Sequence, residues 1–304
     1  MTKVLVSDPI DKAGIDILSQ VAQVDERPGM SAEELKACIG DYDALMIRSG
    51  TQVTADVIAA ASRLKIIGRA GVGVDNVDVP AATQRGVLVV NSPEGNTIAA
   101  AEHALAMMLS LSRYVPQAHA GMRAGKWDRK KYVGNELYKK TLGVVGLGKI
   151  GSHVARVAQA MGMEVIAYDP FIAADRAQRM LVKLLELDEL FRTADYVTLH
   201  IPRTKDTENL VNAELLRTMK PTARIVNCAR GGVVDESAIS EAIQKGVIAG
   251  AGLDVYASEP LAEDSPLRAV ERGLVLTPHL GASTEEAQEN VCLLYTSPSP
   301  RDRG

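Results

Sequence analysis

The sequence predicts an α/β chain of two doubly wound parallel-sheet domains, and three observations carry that expectation. Short apolar runs alternate with helix-period stripes almost from the first residue to residue 277, as strands joined by helical crossovers do. A chain of 304 residues with 46% hydrophobic content fills two domains of roughly 100–200 residues better than one. The stretch TLGVVGLGKIGSHVARVAQAMGMEVIAYDP, 141–170, reads as strand, glycine turn, helix and strand, which is the unit that binds a dinucleotide.

Taken in order, apolar runs at 4–6, 44–47, 65–67 and 87–90 read as strands, and stripes at 10–18, 55–61 and 79–83 as helices. Ligands of open α/β sheets bind beyond the carboxyl ends of the strands, so the residues there matter. Arg48-Ser49-Gly50-Thr51 follows one strand, and Gly68-Arg69-Ala70-Gly71-Val72-Gly73-Val74-Asp75-Asn76 ends the next. Gly71 and Gly73 alone serve as turn residues. With an arginine in each turn they also form a candidate nest of N–H donors for a carboxylate or phosphate. Arg48 and Arg69 are either the anion grips or surface arginines balanced by nearby acids. Asn91-Ser92-Pro93-Glu94-Gly95-Asn96 is a turn cluster, followed by a helix at 98–111 that is apolar nearly all round. Such a helix must be buried, and the expectation is packing between domains or in a subunit interface. A polar helix and Gly125-Lys126-Trp127-Asp128-Arg129-Lys130-Lys131 come next, the tryptophan being a candidate anchor for a partner chain.

In the dinucleotide unit Gly146 permits the turn, Gly148 admits the pyrophosphate to the backbone and Gly151 lets helix and strand pack closely. Lys149 and Ile150 complete the turn, and the pyrophosphate sits on the free N–H groups of the helix N-terminus. Asp169, about 20 residues on, suits the ribose hydroxyls and repels a 2′-phosphate. Strands follow at 196–200, 224–227, 248–254 and 275–277, with stripes at 187–191, 213–219 and 236–244. No sequence repeat joins the two domains, and a substrate cleft between them is expected. Three strand ends supply a cation, a carboxylate and an imidazole: Asn227-Cys228-Ala229-Arg230-Gly231-Gly232, Asp254-Val255-Tyr256-Ala257-Ser258-Glu259-Pro260, and Thr277-Pro278-His279-Leu280-Gly281-Ala282-Ser283. Of the other histidines, His103, His119 and His153 fall on helices, and only His200 comes near the expected site.

A net charge of −4 with scattered lysines and arginines leaves no footprint for nucleic acid. Cys38, Cys228 and Cys292 are odd in number and lack metal-ligand spacing, so neither a disulfide framework nor a metal site is indicated. The chain enters a strand directly and has no apolar run of about 18 residues. A soluble cytoplasmic protein with no membrane contact is expected.

These segments, NCARGGVVDE, GLDVYASEP and PHLGAST above all, resemble the D-isomer-specific 2-hydroxyacid dehydrogenase family from residue 3 to about residue 292. The resemblance implies NAD as cofactor and a Rossmann domain, 96–284, inserted in a substrate domain of residues 1–95 and 285–304. It places the catalytic arginine, glutamate and histidine at Arg230, Glu259 and His279. It implies substrate contacts at Arg48, Ser49, Arg69, Gly71, Val72, Gly73 and Asn96. Cofactor contacts are implied at His200, Ile201, Pro202, Cys228, Ala229, Arg230, Asp254, His279, Gly281 and Ala282, beside the glycine turn and Asp169. The chemistry agrees: loss of a C2 hydride requires a base for the C2 hydroxyl proton, a neighbouring carboxylate fixes the tautomer of an imidazole, and an arginine grips a carboxylate through two parallel N–H bonds.

GRAGVGVDNVD and GKWDRKKYVG are most similar to members acting on a phosphorylated 2-hydroxy acid, D-3-phosphoglycerate, at the entry to serine biosynthesis. A glycerate or hydroxypyruvate reductase and a non-catalytic NAD(H)-sensing scaffold akin to corepressors of this fold are the alternatives. The apolar helix and the Trp127 loop favour a homodimer or homotetramer, with Arg129, Lys130 or Lys131 of a partner subunit adding charge at the substrate. After Val291 the resemblance stops: Cys292-Leu293-Leu294-Tyr295 leads into a tail whose two nearby prolines cannot continue a helix. A shortened return crossing, reduced stability and no appended regulatory domains are the expectation.

Overall fold

The computed structural model describes residues 1–293, and the chain divides into two compact units, one of residues 1–96 together with the segment from Ala282 onward, the other Thr97–Gly281. In the first unit the strands are β1 (Lys3–Val6), β2 (Gln23–Glu26), β3 (Ala44–Ile47), β4 (Ile66–Arg69) and β5 (Leu88–Asn91). Every pairing is parallel and the order is β2-β1-β3-β4-β5. Helices α1 (Lys12–Ser19), α2 (Ala32–Cys38), α3 (Ala55–Ala60) and α4 (Val79–Gln84) make the crossovers. Asp11, Ser31, Thr54 and Asp78 each accept a hydrogen bond from a first-turn N–H, satisfying donors that the helix itself leaves open. Leu5, Leu45, Ile47 and Ile67 pack with Leu35, Ile39 and Ile58 as the core of one face. The strand order reverses between β1 and β3, so the loops after these two strands diverge and leave a crevice where ligands bind.

The second unit contains β6 (Thr141–Val145), β7 (Glu164–Tyr168), β8 (Lys183–Leu184), β9 (Tyr196–Leu199), β10 (Arg224–Asn227), β11 (Gly250–Leu253) and β12 (Leu274–Leu276). These are all parallel, in the order β12-β11-β10-β9-β6-β7-β8. The reversal lies between β6 and β9, as in dinucleotide-binding sheets of strand order 3-2-1-4-5-6. Its helices are α5 (Thr97–Arg113), α6 (Val115–Arg123), α7 (Lys149–Ala160), α8 (Ala174–Arg179), α9 (Leu187–Thr193), α10 (Ala213–Arg217) and α11 (Glu236–Gln244).

Two elements are absent from the sequence reading, and a third, the apolar helix α5, packs within its own unit. The polar segment Gln23–Glu26 forms edge strand β2, which needs no apolar run because one side of it faces solvent. Its neighbour α2 is likewise absent from the sequence reading. Helix α5 is buried within its own unit, by α7 and by β10, β11 and β12. Ala101, Ala104, Met107, Met108 and Leu111 share a core with Leu142, Val144, Val154 and Val226, which accounts for the helix being apolar on several sides.

Helix α12 (Glu285–Leu293) belongs to the first unit and packs on α1. Val291, 4% exposed, clusters with Ala70, and a Cβ on Gly95 would come within 2.7 Å of its Cγ1 and 2.9 Å of its N. The tail expected to weaken this return, residues 294–304, lies outside the described residues. No helix among the described residues is long and apolar enough to cross a membrane.

Candidate active site

At the β6–β9 reversal the glycine turn meets the loop after β9. Gly146 has φ +93°, and a Cβ there would lie 2.6 Å from the His200 carbonyl oxygen and 2.8 Å from Ile201 Cγ2. A Cβ on Gly151 would overlap the Gly146 carbonyl. Both positions therefore require glycine for the turn to fold onto α7. Gly148 is different: φ is −66° and nothing lies within 4 Å of a Cβ. Protein packing therefore does not demand a glycine here, and in dinucleotide-binding turns the glycine at this place admits the pyrophosphate to the backbone. No side chain caps α7, which begins at Lys149 and Ile150, and a helix N-terminus of this kind suits an anion. Asp169, past the end of β7, accepts from Leu147 N–H at 2.7 Å and from Phe171 N–H at 2.9 Å, which ties the carboxylate to the turn. His200 shares a 2.9 Å hydrogen bond with Thr198 Oγ1. Burial pushes its imidazole down to about 4, so it is neutral near pH 7 and anchors the loop that continues into Ile201 and Pro202.

The three polar strand ends interlock. Asn227 Oδ1 accepts from Ala229 N–H at 3.0 Å and its Nδ2 donates to Arg230 O at 2.9 Å, folding the Cys228, Ala229 and Arg230 loop. The Arg230 guanidinium donates to Ala229 O at 2.6 Å. A Cβ on Gly231 would overlap the Tyr256 carbonyl, so the arginine loop and the loop carrying Glu259 lie backbone to backbone. Tyr256 Oη lies 3.1 Å from Leu253 O and 2.9 Å from Thr277 O, its single hydrogen shared between the two carbonyls, linking the ends of β11 and β12. Burial first, then the Asp254 charge, raises the Tyr256 hydroxyl to about 12.

Glu259 is held at both oxygens: Oε1 accepts from Tyr256 N–H at 3.1 Å and Oε2 lies 2.7 Å from His279 Nδ1. His279 adopts φ +56°, a left-handed conformation uncommon for residues other than glycine. Its N–H donates to Asp254 O at 2.9 Å and Thr277 O at 3.1 Å, fixing the turn that aims the ring.

Asp254 is fully buried. Its Oδ1 accepts from Thr277 Oγ1 at 2.5 Å and Leu280 N–H at 2.8 Å, and its Oδ2 from Gly281 N–H at 2.8 Å. Burial alone would raise its pKa, but the bonds from His103, Thr277 and Leu280 prevail and hold it below the usual carboxylate value. His103 Nε2 is 3.1 Å from Asp254 Oδ1 and 3.2 Å from Thr277 Oγ1. The sequence reading, which brought only His200 of the remaining histidines near the site, is corrected here: the helix carrying His103 crosses the ends of β11 and β12. His103, Cys228 and Asp254 offer ligand atoms within 4.8 Å of one another. Burial, with Asp254 nearby, raises the Cys228 thiol, so the cluster is built from a protonated thiol and an already hydrogen-bonded carboxylate.

In the first unit Arg48 opens the loop after β3, and its guanidinium has no hydrogen bond or ion pair among the described residues. Ser49 and Gly50 N–H groups likewise donate to none of them. Arg69 ends β4 and folds over Gly71, where a Cβ would overlap the guanidinium. The turn at 71–73 is pinned by its carbonyls, Asn91 Nδ2 donating to Val72 O at 2.5 Å and Ser92 N–H to Gly71 O at 3.0 Å. The N–H groups of Gly71, Val72 and Gly73 donate no hydrogen bond to the described residues, so both loops present donors. Asn96 closes the first stretch of this unit with a buried Oδ1 that has no hydrogen-bond partner among the described residues, and Ala282 opens the return.

The chain is 62% identical over 293 residues to D-3-phosphoglycerate dehydrogenase of Synechocystis sp., a match covering 96% of this chain and 52% of that protein. The protein of the same name from Archaeoglobus fulgidus is 50% identical over 293 residues, covering 96% of this chain and 55% of its own length. The chain thus spans about half the length of the curated relatives it matches. Among solved structures, the TT0316 protein from Thermus thermophilus superposes with a TM-score of 0.88 at 35% identity, covering 96% of this chain and 93% of that one. D-lactate dehydrogenase from Aquifex aeolicus, complexed with NAD and lactic acid, gives a TM-score of 0.85 at 27% identity, covering 97% and 93%. The family described as D-isomer specific 2-hydroxyacid dehydrogenase, NAD binding domain, matches residues 105–281. The parallel seven-stranded unit with its uncapped glycine turn is that NAD-binding domain, and the chain belongs to the D-isomer specific 2-hydroxyacid dehydrogenase family.

Proposed function

We propose that the protein interconverts D-3-phosphoglycerate and 3-phosphohydroxypyruvate, with the unit of residues 96–284 binding NAD and that of residues 1–95 and 285–304 binding substrate. The observation that carries the reading is the His279–Glu259 pair, Nδ1 to Oε2 at 2.7 Å, on a strand end of the NAD-binding unit. Bound NAD supplies the nicotinamide carbon that accepts the C2 hydride and its two electrons. With Nδ1 turned to Glu259, His279 has Nε2 left to take the C2 hydroxyl proton in oxidation and to return it in reduction. Glu259, steadied by Tyr256 N–H, holds that tautomer and stabilises the imidazolium that forms. Arg230 exchanges its bond to Ala229 O for the substrate carboxylate and polarises the C2 oxygen. A substrate with a carboxylate and a phosphate needs more donors than lactate does, and Arg48, Arg69, Ser49 and the 71–73 turn supply them. The relatives' name points to the same substrate. Exposed Trp127, at 73%, and Val133, at 77%, support a homo-oligomer, to which large exposed apolar side chains are suited.

NADH oxidation measured side by side with 3-phosphohydroxypyruvate, hydroxypyruvate, pyruvate and 2-oxoglutarate tests the proposal. The phosphorylated keto acid should have the highest kcat/KM. Preference for hydroxypyruvate would replace it with the glycerate-type activity, and no turnover with any acid alongside intact NADH binding would favour a cofactor-sensing scaffold.

A further inference from the structure

We infer that Asp8 and Asn76 are positioning residues that shape the substrate loop at 48–51 and lock it to the loop that follows β4. The inference rests on the reading that the Arg48 loop binds the substrate's anionic groups.

Asp8 is 7% exposed, and a buried carboxylate beside a site for anions is unfavourable unless its charge is fully engaged. It is engaged by the loop itself: Oδ2 accepts from Arg48 N–H at 2.6 Å and from Thr51 N–H at 3.0 Å. Those two bonds draw the ends of the loop inward and leave Ser49 and Gly50 at its apex, whose N–H groups donate to none of the described residues. The carboxylate thus takes the two outer donors and leaves the two inner ones for a ligand. Gly50 makes the close approach possible, since a Cβ there would lie 2.6 Å from Asp8 Oδ1.

Asn76 acts on the carbonyls of the same two residues. Its Nδ2 donates to Arg48 O at 2.7 Å and to Thr51 O at 2.6 Å, using both amide hydrogens. Residues 48 and 51 are each held at N–H and at C=O, by two side chains from two other loops. Asn76 O also accepts from Val53 N–H at 2.8 Å. Because Asn76 closes the loop that begins with Arg69 and Gly71, the brace fixes the spacing between the two donor-bearing turns. That spacing matters only to a ligand that uses both turns, as a substrate with two anionic ends does.

The test is steady-state kinetics and NADH binding on Asp8→Asn, Asp8→Ala, Asn76→Ala and Arg48→Ala in the full chain. Asp8→Asn keeps an oxygen acceptor for both N–H groups and should hold KM for 3-phosphohydroxypyruvate within about threefold of the parent. Asp8→Ala and Asn76→Ala should raise that KM about tenfold, with kcat within about threefold and the NADH dissociation constant unchanged. The rise should be smaller with hydroxypyruvate, which has one anionic end. If Arg48→Ala raises KM while neither Asp8→Ala nor Asn76→Ala does, the positioning role is wrong and the substrate loop stands. If Arg48→Ala leaves KM unchanged as well, the substrate-loop reading itself falls. Parallel losses in kcat and NADH affinity would mark a general structural role and overturn the inference. Should Asp8→Ala fail to fold, Asn76→Ala decides by the same readings.

Discussion

Replacing Glu259 by glutamine removes one charge from the acid–base pair while keeping the side chain's shape. The carboxylate receives Tyr256 N–H on one oxygen and faces His279 Nδ1 with the other. An amide can accept only at its single oxygen, so Glu259→Gln sets an NH2 group against one of these two donors. If the oxygen turns to His279, Tyr256 N–H loses its acceptor. If it turns to Tyr256, the imidazole is driven to the tautomer with its proton on Nε2, the atom that must receive the substrate proton. Losing one charge-assisted hydrogen bond costs roughly 1.5–3 kcal/mol. His279 and Glu259 keep 43% and 37% of their side-chain surface exposed, and solvent screening at such exposure argues for the lower end. About 1.5 kcal/mol corresponds to a decrease of roughly tenfold in kcat. The assay is kcat at saturating D-3-phosphoglycerate and NAD, the direction in which Nε2 must accept the proton, with NADH affinity followed by fluorescence as a check that the fold is intact. A kcat within twofold of the parent, with NADH binding unchanged, would refute the assignment of Glu259 as the group that holds the base.

Gly148→Ala should leave the thermal midpoint within about 2 °C, because its φ and the open space around it accept a Cβ. NADH affinity should nevertheless fall about tenfold or more as the methyl enters the path of the pyrophosphate, and calorimetry with a fluorescence titration reads both. His200, pushed down to about 4 by burial, binds fewer protons folded than unfolded between its ordinary value near 6.5 and about 4, so stability must fall as pH drops through that window. Denaturant titrations from pH 7 to pH 4 should show a shallower acid loss for His200→Gln than for the parent.

Much of this fold is legible because the buried parallel strands are short apolar runs and the crossovers carry helical stripes. The 146–151 turn is the clearest case, since Gly146 and Gly151 meet needs that only glycine satisfies. Segment Gln23–Glu26 is not legible in the same way: an edge strand of polar residues has no pattern to distinguish it from a loop. Helix α2 did carry a signal, the capping box of Ser31 and Glu34, which the structure forms with both bonds in place. Arg230, Glu259 and His279 stand out through their motifs, whereas their supports do not. His103 meets Thr277 across 174 residues of sequence and Asp8 meets Arg48 across 40. Such pairings depend on which strand ends the topology makes neighbours, and no local pattern encodes them.

The return of α12 to α1 has a consequence for the order in which the chain is made. Residues 97–281 form one uninterrupted unit, whose residues are all present once position 281 has left the ribosome. The first unit is completed only afterwards, although its five strands emerge earliest, because α12 packs on α1 and Val291 belongs to the cluster that holds Ala70. Until residue 293 is synthesised, the face that α12 covers stays exposed while a whole second unit is made, which is the circumstance in which nascent chains associate with chaperones or with one another. Sequence changes in α12 should therefore affect yield and solubility during expression more than the chemistry of the folded enzyme.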